Sequence, residues 1–151
     1  MRENIILDSW AIIAWLQGEA EGRKVKDLIS WIGGDKDLEA KIKNLIGKDK
    51  IGIVRLFLNI INLGEVFYIL GRRKGENEAT ETIEEIKQNP IEIVPVSNSL
   101  VFKAASFKIK YSIAYADAFA IATAIIQEGC LLTGAPELKD LEDVSIMWMG
   151  E

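Results

Sequence analysis

The sequence predicts an open α/β fold, a three-layer α/β/α sandwich around a central parallel sheet of about five strands. Three observations predict it. Five short β-prone runs are separated by helical patterns along the whole chain, an order that builds parallel strands joined by helical crossovers. The composition, 49% hydrophobic with 27% charged, is that of a soluble globular protein, and helices between the strands cover both faces of such a sheet. At 151 residues the chain buries a full core without disulfides or a structural metal, so residues 1–151 are read as a single domain.

The elements follow in order. Asn4 to Leu7 is apolar and β-prone, Asp8 stands at its end, and a helical pattern runs from Ser9 to Leu16. Gly22 to Ile32 places Val25, Leu28, Ile29 and Ile32 at helical spacing and stops at Gly33 and Gly34. Leu38 to Ile46 repeats the pattern before Gly47, with Asp37 as the expected N-cap. A strand lies within Ile51 to Asn59, and Ile61 to Arg73 carries Leu63, Val66, Phe67 and Leu70 in helical register. Polar Gly75 to Asn77 leads to a charged helix, Glu78 to Gln88, closed by Asn89 and Pro90. Ile91 to Val96 alternates as a strand, and Ser99 to Lys108 reads as a helix. The alanine-rich stretch from Tyr115 to Glu128 is a helix ending at Gly129 as a C′ residue. Cys130 to Thr133 and Val144 to Met149 complete the strands.

Composition narrows the chemistry. Without histidine there is no imidazole general base, no usual zinc ligand and no Ser-His or Cys-His pair. The single Cys130 lies in an apolar run and is expected in the core. Any metal site is therefore built from oxygen ligands, which favour magnesium, manganese or calcium. A net charge of −5 argues against nucleic-acid binding by a general positive field, while leaving room for a local patch drawn from Lys24, Lys26, Arg72 to Lys74, Lys103, Lys108 and Lys110. No apolar run is long enough to cross a bilayer and the first residues lack a secretory pattern, so no membrane association and a cytoplasmic location are expected.

Three carboxylates sit in apolar surroundings: Asp8 in IILDSWAIIAWL, Glu65 in IINLGEVFYIL and Asp117 in IAYADAFAIATAII. An ionised carboxyl in such a place must be paired, neutralised or bound to a cation. Asp8 falls at the carboxyl end of the first strand, where open parallel sheets bind ligands. Each acid also has an ordinary explanation: Asp8 as a helix cap, Glu65 paired with Arg55 or Arg72, Asp117 accepting backbone N–H groups. A shared hard cation accounts for all three together.

The chain resembles the PIN-domain ribonucleases, particularly the VapC-type toxins of toxin–antitoxin pairs, over nearly its whole length. The residues that carry the resemblance are Leu7, Asp8 and Ser9; Asn62 to Val66; Tyr115 to Ala118; and Thr133, Gly134, Pro136 and Glu137. The resemblance implies a catalytic, metal-holding set of Asp8, Glu65 and Asp117, with Ser9, Thr133 and Glu137 as supports and Mg²⁺ or Mn²⁺ as cofactor. It further implies RNA as substrate, cleaved to a 5′-phosphate and a 3′-hydroxyl, a small antitoxin as partner, and a homodimer. The family's fourth acid is replaced by Ala135, for which Glu137 and Asp140 are the nearest substitutes. That departure keeps open a PIN-like module that binds RNA or a protein without cutting. A phosphatase or receiver reading with Asp8 as phosphoryl acceptor is weaker, because Trp10 stands where a haloacid-dehalogenase-type enzyme has its second aspartate. Trp10, Trp15, Trp31 and Phe67 serve either an interface or the core.

Overall fold

Five parallel strands run β1 (Arg2–Leu7), β2 (Ile53–Asn59), β3 (Ile91–Val94), β4 (Cys130–Thr133) and β5 (Ser145–Trp148) along the chain, and lie side by side in the order β3-β2-β1-β4-β5. The structure is a computed structural model and describes residues 1–150. From β1 the chain steps outward to β2 and β3, then crosses back to β4 and β5 on the far side of β1. The strand order thus reverses between β1 and β4, which is where a crevice opens beyond the strand ends.

Side chains alternate across the sheet because the strand period is two. Ile5, Leu7, Leu56, Leu58 and Leu132 enter one core half, while Ile6, Phe57 and Leu131 enter the other. The first half is covered by α1 (Ser9–Leu16), α2 (Arg23–Ile32), α3 (Glu39–Ile46), α4 (Ile60–Lys74) and α5 (Glu76–Lys87). The second is covered by α6 (Asn98–Lys110) and α7 (Tyr115–Ile126). This is the three-layer sandwich expected. Each large aliphatic side chain fully withdrawn from water, such as Leu28 or Leu58, contributes roughly 1.5–3 kcal/mol. The helix α7 is buried from Ala118 to Ala124, and its alanines let it lie against β1, β2 and β4.

Several expected boundaries shift, each for a local reason. The third strand stops at Val94 because Pro95 has no amide to donate. Helix α5 begins at Glu76, since Gly75 at φ 94° absorbs the whole bend and frees the polar residues after it to be helical. Asp35, not Asp37, supplies the capping carboxylate: it accepts from the Asp37 N–H at the start of a 3₁₀ turn, Lys36–Leu38. After α7 the left-handed residue is Glu128, at φ 51°, rather than Gly129. Gly129 is required for a different reason, because a Cβ there would lie 2.3 Å from the Asn4 carbonyl oxygen of β1. Trp10, Trp15, Trp31 and Phe67 all pack against the core. No single helix among the described residues is long and apolar enough to cross a membrane.

Candidate functional site

The crevice at the β1–β4 reversal holds the anomalous acids. Asp8 follows the last residue of β1 and is 2% exposed. Its Oδ1 accepts from the Ala11 N–H at 2.8 Å, so it caps α1, and its Oδ2 accepts from the Thr133 hydroxyl at the end of β4. The Ala135 N–H donates to the same Thr133 oxygen at 3.1 Å, turning the hydroxyl proton toward Asp8. The capping explanation for Asp8 therefore holds, and it uses only one of the two carboxyl oxygens. Burial pushes Asp8 up to about 6, against the lowering effect of the Thr133 and Ala11 hydrogen bonds and with a further push from the Glu65 charge.

Glu65, on α4, accepts from the Ser9 hydroxyl in the first turn of α1. Neither suggested cation pairs with it. Arg55 makes a two-pronged bond to Glu92 at 2.6 and 2.8 Å, and the Arg72 guanidinium lies 5.2 Å from the Tyr68 ring centroid. Asp117 stands in the first turn of α7, half-buried. Burial first, then the charges of Glu137 and Asp8, raise it to about 7. Glu137 lines the same cleft as Asp117 and its charge acts on the Asp117 carboxyl, so a residue expected only as a support stands beside the acid set.

Ser9, Glu65, Asp117, Ala135 and Glu137 line one open cleft of about 490 Å³, with Trp10 and Ile13 as its apolar wall and Arg73 as its cation. Trp10 is seated on Gly134, where a Cβ would meet the indole at 2.3 Å. Two side-chain bonds join α4 and the strand before it to α7. Asn62 Nδ2 donates to the Ala116 carbonyl at 3.0 Å, and Asn59 Nδ2 donates to the Thr123 hydroxyl at 3.0 Å. Asn59 also caps α4 by accepting from the Ile61 N–H at 2.8 Å. These residues set the separation of Glu65 and Asp117. In the sequence Asn62 stands out only as part of a motif and Asn59 only as a strand end, while Thr123 gives no signal.

The donor set suits a hard divalent cation: it is all oxygen, mutually repelling, and free of any Lys or Arg ion pair among the described residues. No three of these acids already stand as a finished ligand shell among the described residues. The structure thus supplies a concentrated negative site rather than a preformed cage. One further acid is covered, Glu3, missed in the sequence. Although burial opposes it, Lys48 at 2.9 Å and the Gly52 N–H hold its carboxyl below the usual range.

The family model of the PIN domain matches residues 5–143. No curated protein matches the chain in sequence. Among solved structures, the chain aligns with VapBC-1 from nontypeable Haemophilus influenzae at a TM-score of 0.66 and 12% identity, over 98% of this chain and 99% of that one. It aligns with VapBC2 from Rickettsia felis, bound to a DNA fragment from their promoter, at 0.64 and 15%, over 95% and 96%. A third match is VapC20 of Mycobacterium tuberculosis, a sarcin-ricin loop cleaving toxin, at 0.54 and 19%, over 87% and 88%. At these identities the likeness is one of fold.

Proposed function

This chain belongs to the PIN-domain family, and we propose that it is a metal-dependent endoribonuclease, the cytoplasmic toxin of a toxin–antitoxin pair. The observation that carries the proposal is the juxtaposition of three acids from separate elements at the strand-order reversal: Glu65 and Asp117 line the cleft, and the buried Asp8 lies close enough for its charge to act on Asp117 and for that of Glu65 to act on it. Likeness to the toxin–antitoxin structures supports a small antitoxin as partner, and the resemblance supports a homodimer.

Asp8, Glu65 and Asp117 would hold Mg²⁺ or Mn²⁺, with Glu137 beside them where Ala135 leaves the fourth acid missing. When bound, the cation supplies water activation and neutralises developing phosphoryl charge. The chain's own groups do the positioning. The Thr133 hydroxyl and Ala11 N–H fix the Asp8 carboxyl, the Ser9 hydroxyl fixes Glu65, and the Asn62–Ala116 bond fixes the turn bearing Asp117. Arg73, the cation of the cleft, is placed to meet a backbone phosphate, and Trp10 and Ile13 restrict water on one wall. Attack by water on phosphorus forms one P–O bond as the bond to the ribose 3′ oxygen breaks, leaving a 5′-phosphate and a 3′-hydroxyl.

The test is Mn²⁺-dependent cleavage of RNA, with rates expected to fall at least ~100-fold in Asp8→Asn and in Asp117→Asn, and metal affinity to rise in Ala135→Asp. Cleavage persisting in both Asn variants sinks the assignment. Ala135 and the lack of a preformed ligand shell favour one second reading, a PIN-like module that binds RNA or a protein without cutting. Calorimetry showing no Mg²⁺ or Mn²⁺ binding alongside retained RNA binding decides for it.

A further inference from the structure

The acid cleft faces a problem that its own residues do not solve. It presents Glu19, Glu65, Asp117 and Glu137 against the single cation Arg73, in a chain of net charge −5. A polyanionic substrate is repelled from such a surface and needs an anchor elsewhere.

A second cleft, of about 440 Å³, has the opposite character. Arg23, Lys24, Lys41 and Trp148 line it, with Asp27 its one acid. Neither Arg23 nor Lys41 has a carboxylate within ion-pair distance among the described residues. The Lys24 ammonium donates to the Trp148 carbonyl at 2.8 Å and to the Gly150 carbonyl at 3.3 Å, tying the first turn of α2 to the end of β5 and forming the cleft. Lys139 stands 5.0 Å from the Trp148 ring centroid and adds a further positive charge.

The two clefts adjoin. Trp148 is the register partner of Thr133, whose hydroxyl donates to Asp8, so its backbone runs one strand spacing, about 4.8 Å, from the strand that carries Thr133. The α1–α2 connection contributes Gln17 and Glu19 to the acid cleft and Ala20 to the basic one. We propose that the Arg23–Lys41–Trp148 cleft holds the single strand of RNA flanking the scissile bond, with phosphates on Arg23 and Lys41 and a base stacked on Trp148. Unpaired cations beside a half-buried tryptophan are a combination that can grip single-stranded nucleic acid, since every base has a face to stack and every linkage a charge. This rests on RNA being the substrate of the neighbouring site.

The experiment is fluorescence anisotropy of a labelled unstructured single-stranded RNA of about 12 nucleotides on the full chain in EDTA, so that binding is read without cleavage. Arg23→Gln with Lys41→Gln is expected to weaken binding about tenfold and to lower the log–log salt slope by about 1.4, two phosphates at about 0.7 each. Trp148→Leu is expected to weaken it about tenfold, with Trp148→Phe restoring most of the loss. Circular dichroism establishes that each variant is folded. Unchanged affinity in the folded double variant overturns the proposal, as does equal affinity for duplex RNA. Competition by poly-glutamate as effective as by unlabelled RNA also overturns it, because the cleft then serves an acidic protein. Running Mn²⁺ cleavage on the same variants separates the two readings. Cleavage with indifferent binding leaves the nuclease standing and removes the anchor, whereas cleft-dependent binding without cleavage by the parent chain keeps the anchor and removes the nuclease.

Discussion

Asp8 is at once a helix cap, the acceptor of a buried hydroxyl and a member of a repelling acid cluster, and these roles have opposite energetic signs. The Ala11 and Thr133 hydrogen bonds favour its ionised form, but complete burial outweighs them. A rise from an ordinary 3.8 to about 6 corresponds to about 3 kcal/mol. The sign follows from proton counting. Below pH 3.8 Asp8 is protonated in both folded and unfolded chains and carries no penalty. Between pH 3.8 and 6 the unfolded chain releases the proton that the folded chain retains, so stability falls as pH rises, and the deficit is complete above pH 6. In EDTA, Asp8→Asn is therefore expected to match the parent in Tm near pH 3.5 and to exceed it by several degrees above pH 7, at roughly 2–4 °C per kcal/mol for a chain of this size. Thermal unfolding of both proteins at pH 3.5, 5, 6 and 8 checks this, and a difference independent of pH contradicts it.

At the scale of elements, α4 and α7 are held together by polar bonds set into an otherwise apolar contact. Asn59 both caps α4 and donates to Thr123, and the Thr123 hydroxyl in turn donates to the Phe119 carbonyl at 2.7 Å. Asn59→Ala is expected to destabilise by about 2–3 kcal/mol, combining a lost cap with the lost hydrogen bond to the buried Thr123 hydroxyl. Thr123→Val is expected to lose about 1–3 kcal/mol through the stranded Asn59 amide. The double variant should be less damaging than the sum by about 1 kcal/mol or more, and denaturant unfolding of the cycle measures it; strict additivity would show that the bond carries nothing. The same scale separates what was legible in the sequence from what was not. Element order was legible because strand and helix have different apolar periods, and Asp8, Glu65 and Asp117 stood out because acids are rare in such runs. The ends of α5, β3 and α7 were less so, since Gly75, Pro95 and Glu128 act through backbone geometry. Glu137 sits in a 3₁₀ turn with no periodicity to aim it, and Glu3 finds its cation, Lys48, 45 residues away. The basic cleft was only partly visible: Lys24 was among the candidate cations, but Arg23, Lys41 and Trp148 come from three elements that only the fold unites. Two of the other candidates are spent on neighbours, Lys110 on Asp143 and Lys108 on the Ile113 carbonyl.

At the scale of the whole molecule, the site is a product of topology. The chain leaves β1 for one side of the sheet and returns to β4 on the other, so the ends of β1 and β4 adjoin at the point of reversal. Asp8 and Thr133 meet there from positions 125 residues apart, and α4 and α7 bring Glu65 and Asp117 from opposite layers. The acid cluster therefore opposes folding in the metal-free chain, because closing both layers onto the sheet forces the carboxylates together. A cation that binds only the folded arrangement reverses this, stabilising by about 2.7 kcal/mol at a free concentration one hundred times its dissociation constant. At pH 8 the parent chain is expected to gain roughly 5–10 °C in Tm on moving from EDTA to saturating Mn²⁺. Asp8→Asn and Asp117→Asn should each lose most of that gain while starting from a higher metal-free Tm. That crossing of the two orders, more stable without metal and less responsive to it, is the signature of acids placed for a cation rather than for the fold. A parent Tm indifferent to Mn²⁺, or Asn variants that respond as the parent does, contradicts the placement of the ion at these carboxylates.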